Sequence, residues 1–251
     1  MTQTDKARLF ASLHRPGEPV VLYNVWDAGS AKVVAAAGAK ALATGSASVA
    51  AAHGFADAEA LPLDLVLANA ARVVQAVELP VTVDFEGAYG VEPERVAANV
   101  AALAATGAIG CNFEDQVIGG EGLHPLEDQA ARIRAARAAV GPDFFINART
   151  DIFLKTRAAT HAPELIEQAI ARARAYAEAG ASGFFVPGLV DLDQLAQVCS
   201  AAPLPVNFMA FPAAPPADAV AAAGVARISH GPFPYKLAMA ALKEAAEAIY
   251  G

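Results

Sequence analysis

Short, β-rich apolar segments alternate along the chain with longer Ala-rich segments, and Gly or Pro marks most junctions. The apolar segments are residues 20–25, 41–44, 81–85, 109–113, 144–148, 183–186, 205–208 and 226–229. They are near-continuous in hydrophobicity, as strands of a parallel sheet are when helices cover its outer face. The segments near 30–37, 63–77, 92–105, 125–140, 162–179, 192–200, 217–223 and 235–250 carry helical periodicity. Pro163 suits a first helical turn, and Glu164 and Glu167 suit its positive end. Gly107, Gly180 and Gly224 follow Ala-rich runs, as glycines beyond a helix C-terminus do.

About eight such units can be counted, the number that closes a (β/α)8 TIM barrel. The competing α/β architecture, a doubly wound open sheet, predicts fewer strands and a Gly-rich fingerprint in the first βα turn. That turn reads NVWDAGSA and has no such fingerprint. No linker, low-complexity tract or charge run divides residues 1–251, so one barrel domain is expected.

Composition then removes several function classes. Hydrophobic residues make up 55% of the chain, enough for a large core and too many for a disordered protein. Acidic residues number 26 against 18 Lys and Arg, a net charge of −8 that argues against a nucleic-acid partner. The two cysteines, Cys111 and Cys199, make no disulfide framework and fit a reducing cytoplasm. The first 18 residues carry charges throughout and no apolar core, so no signal peptide is read there. The longest apolar runs are Ala-rich, broken by Gly, and short of the ~20 strongly apolar residues of a membrane helix.

In a barrel the chemistry sits at the C-terminal ends of the strands. The third candidate strand ends VTVDFEGAYG, which places Asp84 and Glu86 on one side of an extended segment. The fourth ends CNFEDQ, offering Glu114 and Asp115, and the fifth ends INARTD, offering Arg149 and Asp151. Asp84, Glu86 and Glu114 thus converge from adjacent strands, and oxygen-only ligands favour a hard cation, Mg²⁺ or Mn²⁺. Arg149 beside them suits bidentate capture of a substrate carboxylate or phosphonate. A structural ion-pair network is the bland alternative for the same four groups.

After the second strand comes TGSASVAAAHGFAD. Ser46, with the backbone N–H groups of Ser46 and Ala47, suits a carboxylate or oxyanion, and Asp57 closes the loop. Helix capping by Ser46 and Asp57 is the commoner use of these residue types. Residues 117–126, VIGGEGLHPL, have the glycine content of a mobile lid, and within them only Glu121 and His124 suit proton transfer. Asn207, at the seventh strand end, is a candidate donor to substrate or a turn former. His230 follows the eighth strand, where barrels often bind phosphate, although HGPFPY is also an ordinary helix-start turn. Trp26 and Tyr89 are placed as walls of the site face, Cys111 and Cys199 as small buried hydrophobes, and His14 and His161 on the surface.

Taken in order, TGSASVAAAHGFAD, VTVDFEGAYG, CNFEDQ and INARTD resemble the isocitrate lyase/phosphoenolpyruvate mutase superfamily. The similarity runs from Asn24 to the ISHGP segment near His230. It implies a (β/α)8 barrel and Mg²⁺-dependent chemistry on 2-oxo acids, breaking or forming C–C or P–C bonds through a pyruvate-type enolate. By motif, Asp84, Glu86 and Glu114 resemble the metal-site acids, often bound through water. Asp57 resembles the acid of the GxxD position, Ser46 and Ala47 the carboxylate cradle, and Arg149 the substrate arginine. Members commonly form tetramers with exchanged terminal helices, which makes residues 235–250 the candidate exchanged segment and a dimer or tetramer the expected assembly. The lyases carry a K-[KR]-C-G-H lid, and the mutase lid uses Lys and Asn. VIGGEGLHPL has none of these, which weighs against a Cys-dependent isocitrate or 2-methylisocitrate cleavage.

The leading expectation is therefore a Mg²⁺-dependent lyase or decarboxylase for small 2-oxo or 2-hydroxy di- or tricarboxylates. Phosphonopyruvate mutase or hydrolase chemistry is the second, and a non-catalytic 2-oxo acid binder the third. A Schiff-base aldolase rests on Lys155 alone.

Overall fold

The structure, a computed structural model, describes residues 1–156 and 161–251. Its sheet has eight strands: β1 Val20–Leu22, β2 Leu42–Ala43, β3 Val81–Asp84, β4 Gly110–Glu114, β5 Phe145–Arg149, β6 Gly183–Phe185, β7 Val206–Met209 and β8 Arg227–Ser229. Every strand is paired in parallel, in the order β1-β8-β7-β6-β5-β4-β3-β2. The circle is completed by a bridge rather than a full ladder: Val25 pairs with Thr44, and Val25 N–H donates to the Ala43 carbonyl at 2.9 Å. The Asn24 side chain adds a bond to the Thr44 carbonyl at 2.8 Å. The result is the (β/α)8 TIM barrel that the unit count predicts.

Helices follow the strands: α2 Ala28–Ala36, α3 Ser46–Ala52, α4 Leu63–Ala76, α5 Pro93–Ala105, α6 Leu126–Val140, α7 Ile152–Thr156, α8 Pro163–Glu178, α9 Leu192–Ala201, α10 Ala217–Ala222 and α11 Phe233–Tyr250. Their buried positions recur at helical spacing, as in Val66, Ala70 and Val73 of α4 and Val96, Val100 and Leu103 of α5.

Three helices have no counterpart in the sequence expectation. α1 Gln3–Ser12 opens with a capping box, in which Thr2 Oγ1 accepts from Asp5 N–H and the Asp5 carboxylate accepts from Thr2 N–H. It closes the N-terminal end of the barrel, packing Phe10 against Val20, Leu22, Ala41, Ala43, Ile109 and Phe145. α3 turns the expected loop after β2 into a helix with Gly45 as its N-cap residue, so Ser46 does not cap it. α7 follows β5.

Two histidines placed on the surface from sequence are not there. His14 is stacked on Phe145 at 4.3 Å and edge-on to Phe10 at 4.7 Å, with Nε2 sealed from solvent. His161 is buried, with Nδ1 2.9 Å from Thr156 Oγ1. Each is drawn in by an aromatic ring, His14 by Phe10 and Phe145 and His161 by Phe153 at 4.7 Å. Cys111 is buried in β4 and Cys199 half-buried in α9. Among the described residues no helix is long and apolar enough to cross a membrane.

Candidate active site

β3, β4 and β5 deliver the acids and the arginine to one end of the barrel. A cavity of about 300 Å³ lies there, lined by Ser46, Asp57, Ala58, Glu86, Glu114, Gln116, Arg149, Asp151, Leu154 and Lys155. Its geometry is built from local conformations that the strand-end sequence alone does not specify.

Asp84 is the last residue of β3. Its carboxylate accepts from Ser46 N–H at 3.1 Å on Oδ2 and from the Asn112 amide at 3.1 Å on Oδ1. The Ser46 N–H expected to meet a substrate carboxylate therefore meets the protein's own.

Glu86 does not continue the strand. It takes a left-handed backbone, φ 51°, followed closely by Ala88 and Tyr89 at 63° and 56°. The loop facing it holds the other two non-glycine residues of this kind among those described, Ala58 and Glu59. Such strain persists only where surrounding structure fixes it. Here it aims two backbone N–H groups, of Ala58 and Glu59, at Glu86 Oε1 at 2.9 and 3.1 Å, while Tyr89 OH donates to Oε2 at 3.1 Å. Burial first, then a hydrogen bond with the Asp57 carboxyl, pushes the Glu86 carboxyl up to about 8.

Glu114 ends β4, buried, and pairs through Oε2 with Arg149 Nη1 at 2.8 Å. Burial raises its pKa well above the carboxylate range despite that arginine. Arg149 also grips Asp151, with Nε 2.6 Å from Oδ1 and Nη2 3.0 Å from Oδ2. The guanidinium thus stands locked between two acids and keeps its charge throughout the accessible pH range.

Asp115 has a different place. Its carboxylate accepts from Asp151 N–H at 3.0 Å, Arg172 Nη1 at 3.0 Å and Tyr176 OH at 2.8 Å, and it is fully buried. Its carbonyl accepts from His124 N–H at 2.8 Å, and Arg172 Nη2 donates to the His124 carbonyl at 3.0 Å. Asp115 anchors the segment read as a lid. That segment is a hairpin, closed by the antiparallel Gln116–Leu123 bridge. Glu121 is exposed in its turn, outside the 300 Å³ cavity lining. His124 is buried and lines a neighbouring cavity of about 220 Å³ with Glu59, Tyr89 and Arg132; burial lowers its pKa, so the ring is neutral at pH 7.

Asn207 and His230 face inward partners. Asn207 donates to the Phe208 and Arg227 carbonyls and to Ser229 Oγ, deep in the barrel. His230 N–H donates to Asn24 Oδ1 at 2.8 Å, tying β8 to β1. Trp26 packs edge-on against Tyr235 at 5.1 Å. Lys155 is exposed on α7, at the cavity rim.

Several residues here went unread from sequence. Glu59 sits behind Glu86, accepting from Tyr89 N–H at 2.8 Å. Arg132 donates from Nη2 to the Gly87 and Gly90 carbonyls at 2.7 and 2.8 Å and so fixes the Glu86 loop. Asn112 supports Asp84. The available signal was parity: Asn112 and Asn147 stand two residues before Glu114 and Arg149, polar positions inside apolar strands.

Among the described residues no three His, Cys, Asp or Glu side chains are grouped to hold an ion directly. The reason is geometric, since Glu86 turns toward Ala58 and Glu59 and Glu114 turns toward Arg149. Yet Glu114, Asp151 and Asp84 act on the half-buried Arg149, Asp57 and Glu86 line the same cavity, and Lys155 stands at its rim. This excess of hard oxygen donors fits a hydrated Mg²⁺, which binds through one or two carboxylates and retains waters.

A parallel barrel whose third to fifth strands end in acids around a locked arginine defines a carboxylate-lined α/β-barrel site. The chain belongs to the phosphoenolpyruvate phosphomutase family, whose profile matches residues 10–250, within the isocitrate lyase/phosphoenolpyruvate mutase superfamily. It is similar to a solved structure from Burkholderia cenocepacia described as a candidate phosphonomutase, at 51% identity and TM-score 0.95, covering 98% of this chain and 99% of that one. It is also similar to the structure of 2,3-dimethylmalate lyase, at 30% identity and TM-score 0.85, covering 100% of this chain and 88% of that one. The 2-methylisocitrate lyase of Escherichia coli is 32% identical over 225 residues, 81% of this chain and 73% of the relative.

Proposed function

We propose that the protein is a Mg²⁺-dependent lyase or decarboxylase acting on small 2-oxo or 2-hydroxy di- or tricarboxylates. The observation that carries this reading is one cavity at the strand ends in which Glu86, Glu114, Asp57, Ser46 and Arg149 meet. Asp84, Glu86 and Glu114 are the residues that would hold the ion, largely through its waters. Bound there, Mg²⁺ supplies Lewis-acid stabilisation of a developing enolate.

The chain's own groups do the rest. Arg149, immobilised by Glu114 and Asp151, offers a fixed positive charge to a substrate carboxylate without losing rotamer freedom on binding. Ser46 and Ala47, in the first turn of α3, flank the position of the second carboxylate. Asp57 lines the same cavity, and its carboxyl beside Glu86 helps hold Glu86 in the protonated range. Glu121 and His124 are the hairpin's candidates for moving a proton, His124 as the neutral ring. The hairpin carries no Lys, Asn or Cys between 117 and 126, so the donor differs from that of the lyases and mutases with those lids.

The test is a panel of oxaloacetate, 2-methylisocitrate, substituted malates and phosphonopyruvate, with Mg²⁺, read by release of pyruvate, oxalate and phosphate. C–C cleavage that EDTA abolishes and Mg²⁺ restores is the expected result. Full activity after exhaustive EDTA treatment overturns it. The 51% identical relative described as a candidate phosphonomutase favours P–C chemistry as the second reading, which turnover of phosphonopyruvate alone would select. Tight binding of oxalate without any turnover would leave a 2-oxo acid binder.

The same reading includes assembly. α11 is 18 residues long, yet only Pro234 in it is buried, and Leu237, Leu242 and Ile249 are more than 60% exposed. The outer face of β1 is correspondingly bare at Val21 and Tyr23, beside a groove of about 800 Å³. A second copy's α11 in that groove would cover both faces, giving a homodimer or tetramer. Leu237→Glu with Leu242→Glu is expected to shift the protein to monomer in sedimentation velocity, with the barrel still folded.

A further inference from the structure

We propose that Arg227 is a positioning residue for the acid site, its guanidinium fixing the Asn112 amide in the orientation that holds Asp84. This rests on the reading of Asp84 as a site acid given above.

Arg227 begins β8 and points into the barrel, where it is completely buried. Among the described residues no carboxylate lies within ion-pair distance of it. Its one side-chain hydrogen bond runs from Nη2 to Asn112 Oδ1 at 3.2 Å, and Nε and Nη1 are sealed without partners. One side of it is apolar, with the Phe10 ring 5.9 Å away. An unpaired buried charge works against folding, so packing does not account for it.

The hydrogen-bond directions do. Guanidinium nitrogens only donate, so the Asn112 atom facing Arg227 must be the oxygen. Asn147 Nδ2 donates to that same Oδ1 at 2.9 Å and to Asn207 Oδ1 at 3.1 Å. Asn207 in turn gives its own amide hydrogens to the Arg227 and Phe208 carbonyls and to Ser229 Oγ. Every amide in the chain is fixed in one sense. The only face Asn112 has left is its NH₂, and it donates to Asp84 Oδ1 at 3.1 Å. With Ser46 N–H on Oδ2, this leaves the Asp84 carboxylate one orientation. Arg227 also places a positive charge within electrostatic reach of the Asp84 carboxylate.

The experiment uses Mn²⁺ as probe, titrated into the whole protein and read by the electron paramagnetic resonance signal of the free ion, beside thermal unfolding. Arg227→Met is expected to weaken Mn²⁺ binding by about 10- to 100-fold, the usual cost of an outer-sphere change. Its melting temperature should hold or rise, because an unpaired charge leaves an interior site. Asn112→Ala should weaken binding similarly, and the double variant should add little, as residues in one chain do. Asn112→Ala also reads the link if Arg227→Met gives no folded protein. Unchanged Mn²⁺ affinity in either folded variant, with or without a lower melting temperature, overturns the inference while the proposed function stands. Failure of the wild-type protein to bind Mn²⁺ overturns both.

Discussion

Replacing Arg149 by Met is expected to lower the melting temperature steeply and to abolish turnover in the same variant. Among the described residues the guanidinium is the only partner of the buried Glu114 carboxylate, and it grips Asp151 at two points. Its loss leaves two buried carboxylates facing each other, a change that costs about 3–5 kcal/mol when one member of a buried network is removed. For a chain of this size, each kcal/mol moves the melting temperature by about 2–4 °C, so a fall of roughly 6–20 °C is expected in calorimetry. The deficit should shrink at acidic pH, because burial already favours the protonated form of Glu114 and protonation removes one unpaired charge. Adding Glu114→Gln to Arg149→Met should recover part of the stability and none of the activity, since neutralising the acid does not restore a charge for the substrate. An unchanged melting temperature in the single variant would show that the ion pairs carry no weight.

The second large effect concerns pH and lies at the opposite end of the barrel. His14 Nδ1 is 2.8 Å from the Phe10 carbonyl, so Nδ1 carries the proton and Nε2 is a sealed lone pair. Burial first, then the nearby Arg227 charge, depresses the imidazole from 6.5 to about 3. The unfolded chain therefore takes up the proton before the folded one does. Stability from the neutral ring is fully present above about pH 6.5 and is lost progressively as pH falls toward 3. The linked free energy is roughly 3–5 kcal/mol across that window. His14→Phe keeps the ring stacking on Phe145 and deletes the titration. Guanidinium unfolding at pH 7.5 and pH 4 should show the gap between the two pH values narrowing in the variant. An unaltered gap would mean that His14 is protonated inside the fold.

Much of the architecture was legible because it is periodic. β4 Gly110–Glu114 and α5 Pro93–Ala105 lie within a residue or so of the expected segments, since buried parallel strands and Ala-rich helices write themselves into composition. α1 was not legible because only Ala7 and Phe10 of it are buried, and two apolar residues among charges make no stripe. Asp84, Glu114 and Arg149 follow from position at strand ends. Glu86 shows where that logic stops. Spacing put it beside Asp84 on one face of an extended chain, but a left-handed turn after Phe85 sends it to the Ala58–Glu59 backbone instead. Asp115 looked like its neighbour Glu114 in sequence, and only the fold reveals that Arg172 and Tyr176, 57 and 61 residues away, claim it. Contacts across such separations leave no local pattern.

That claim on Asp115 has a consequence for how the hairpin can vary. Its base is riveted to the turn after β5 and to α8, whereas residues 117–122 project from the Gln116–Leu123 bridge with few ties of their own. The tip behaves as a cassette on a fixed mount. Only Val117 and Ile118 of it reach back to the barrel, against the Gly87 and Arg132 neighbourhood, so changes at 119–122 should disturb the acids beneath far less than a change at Asp115.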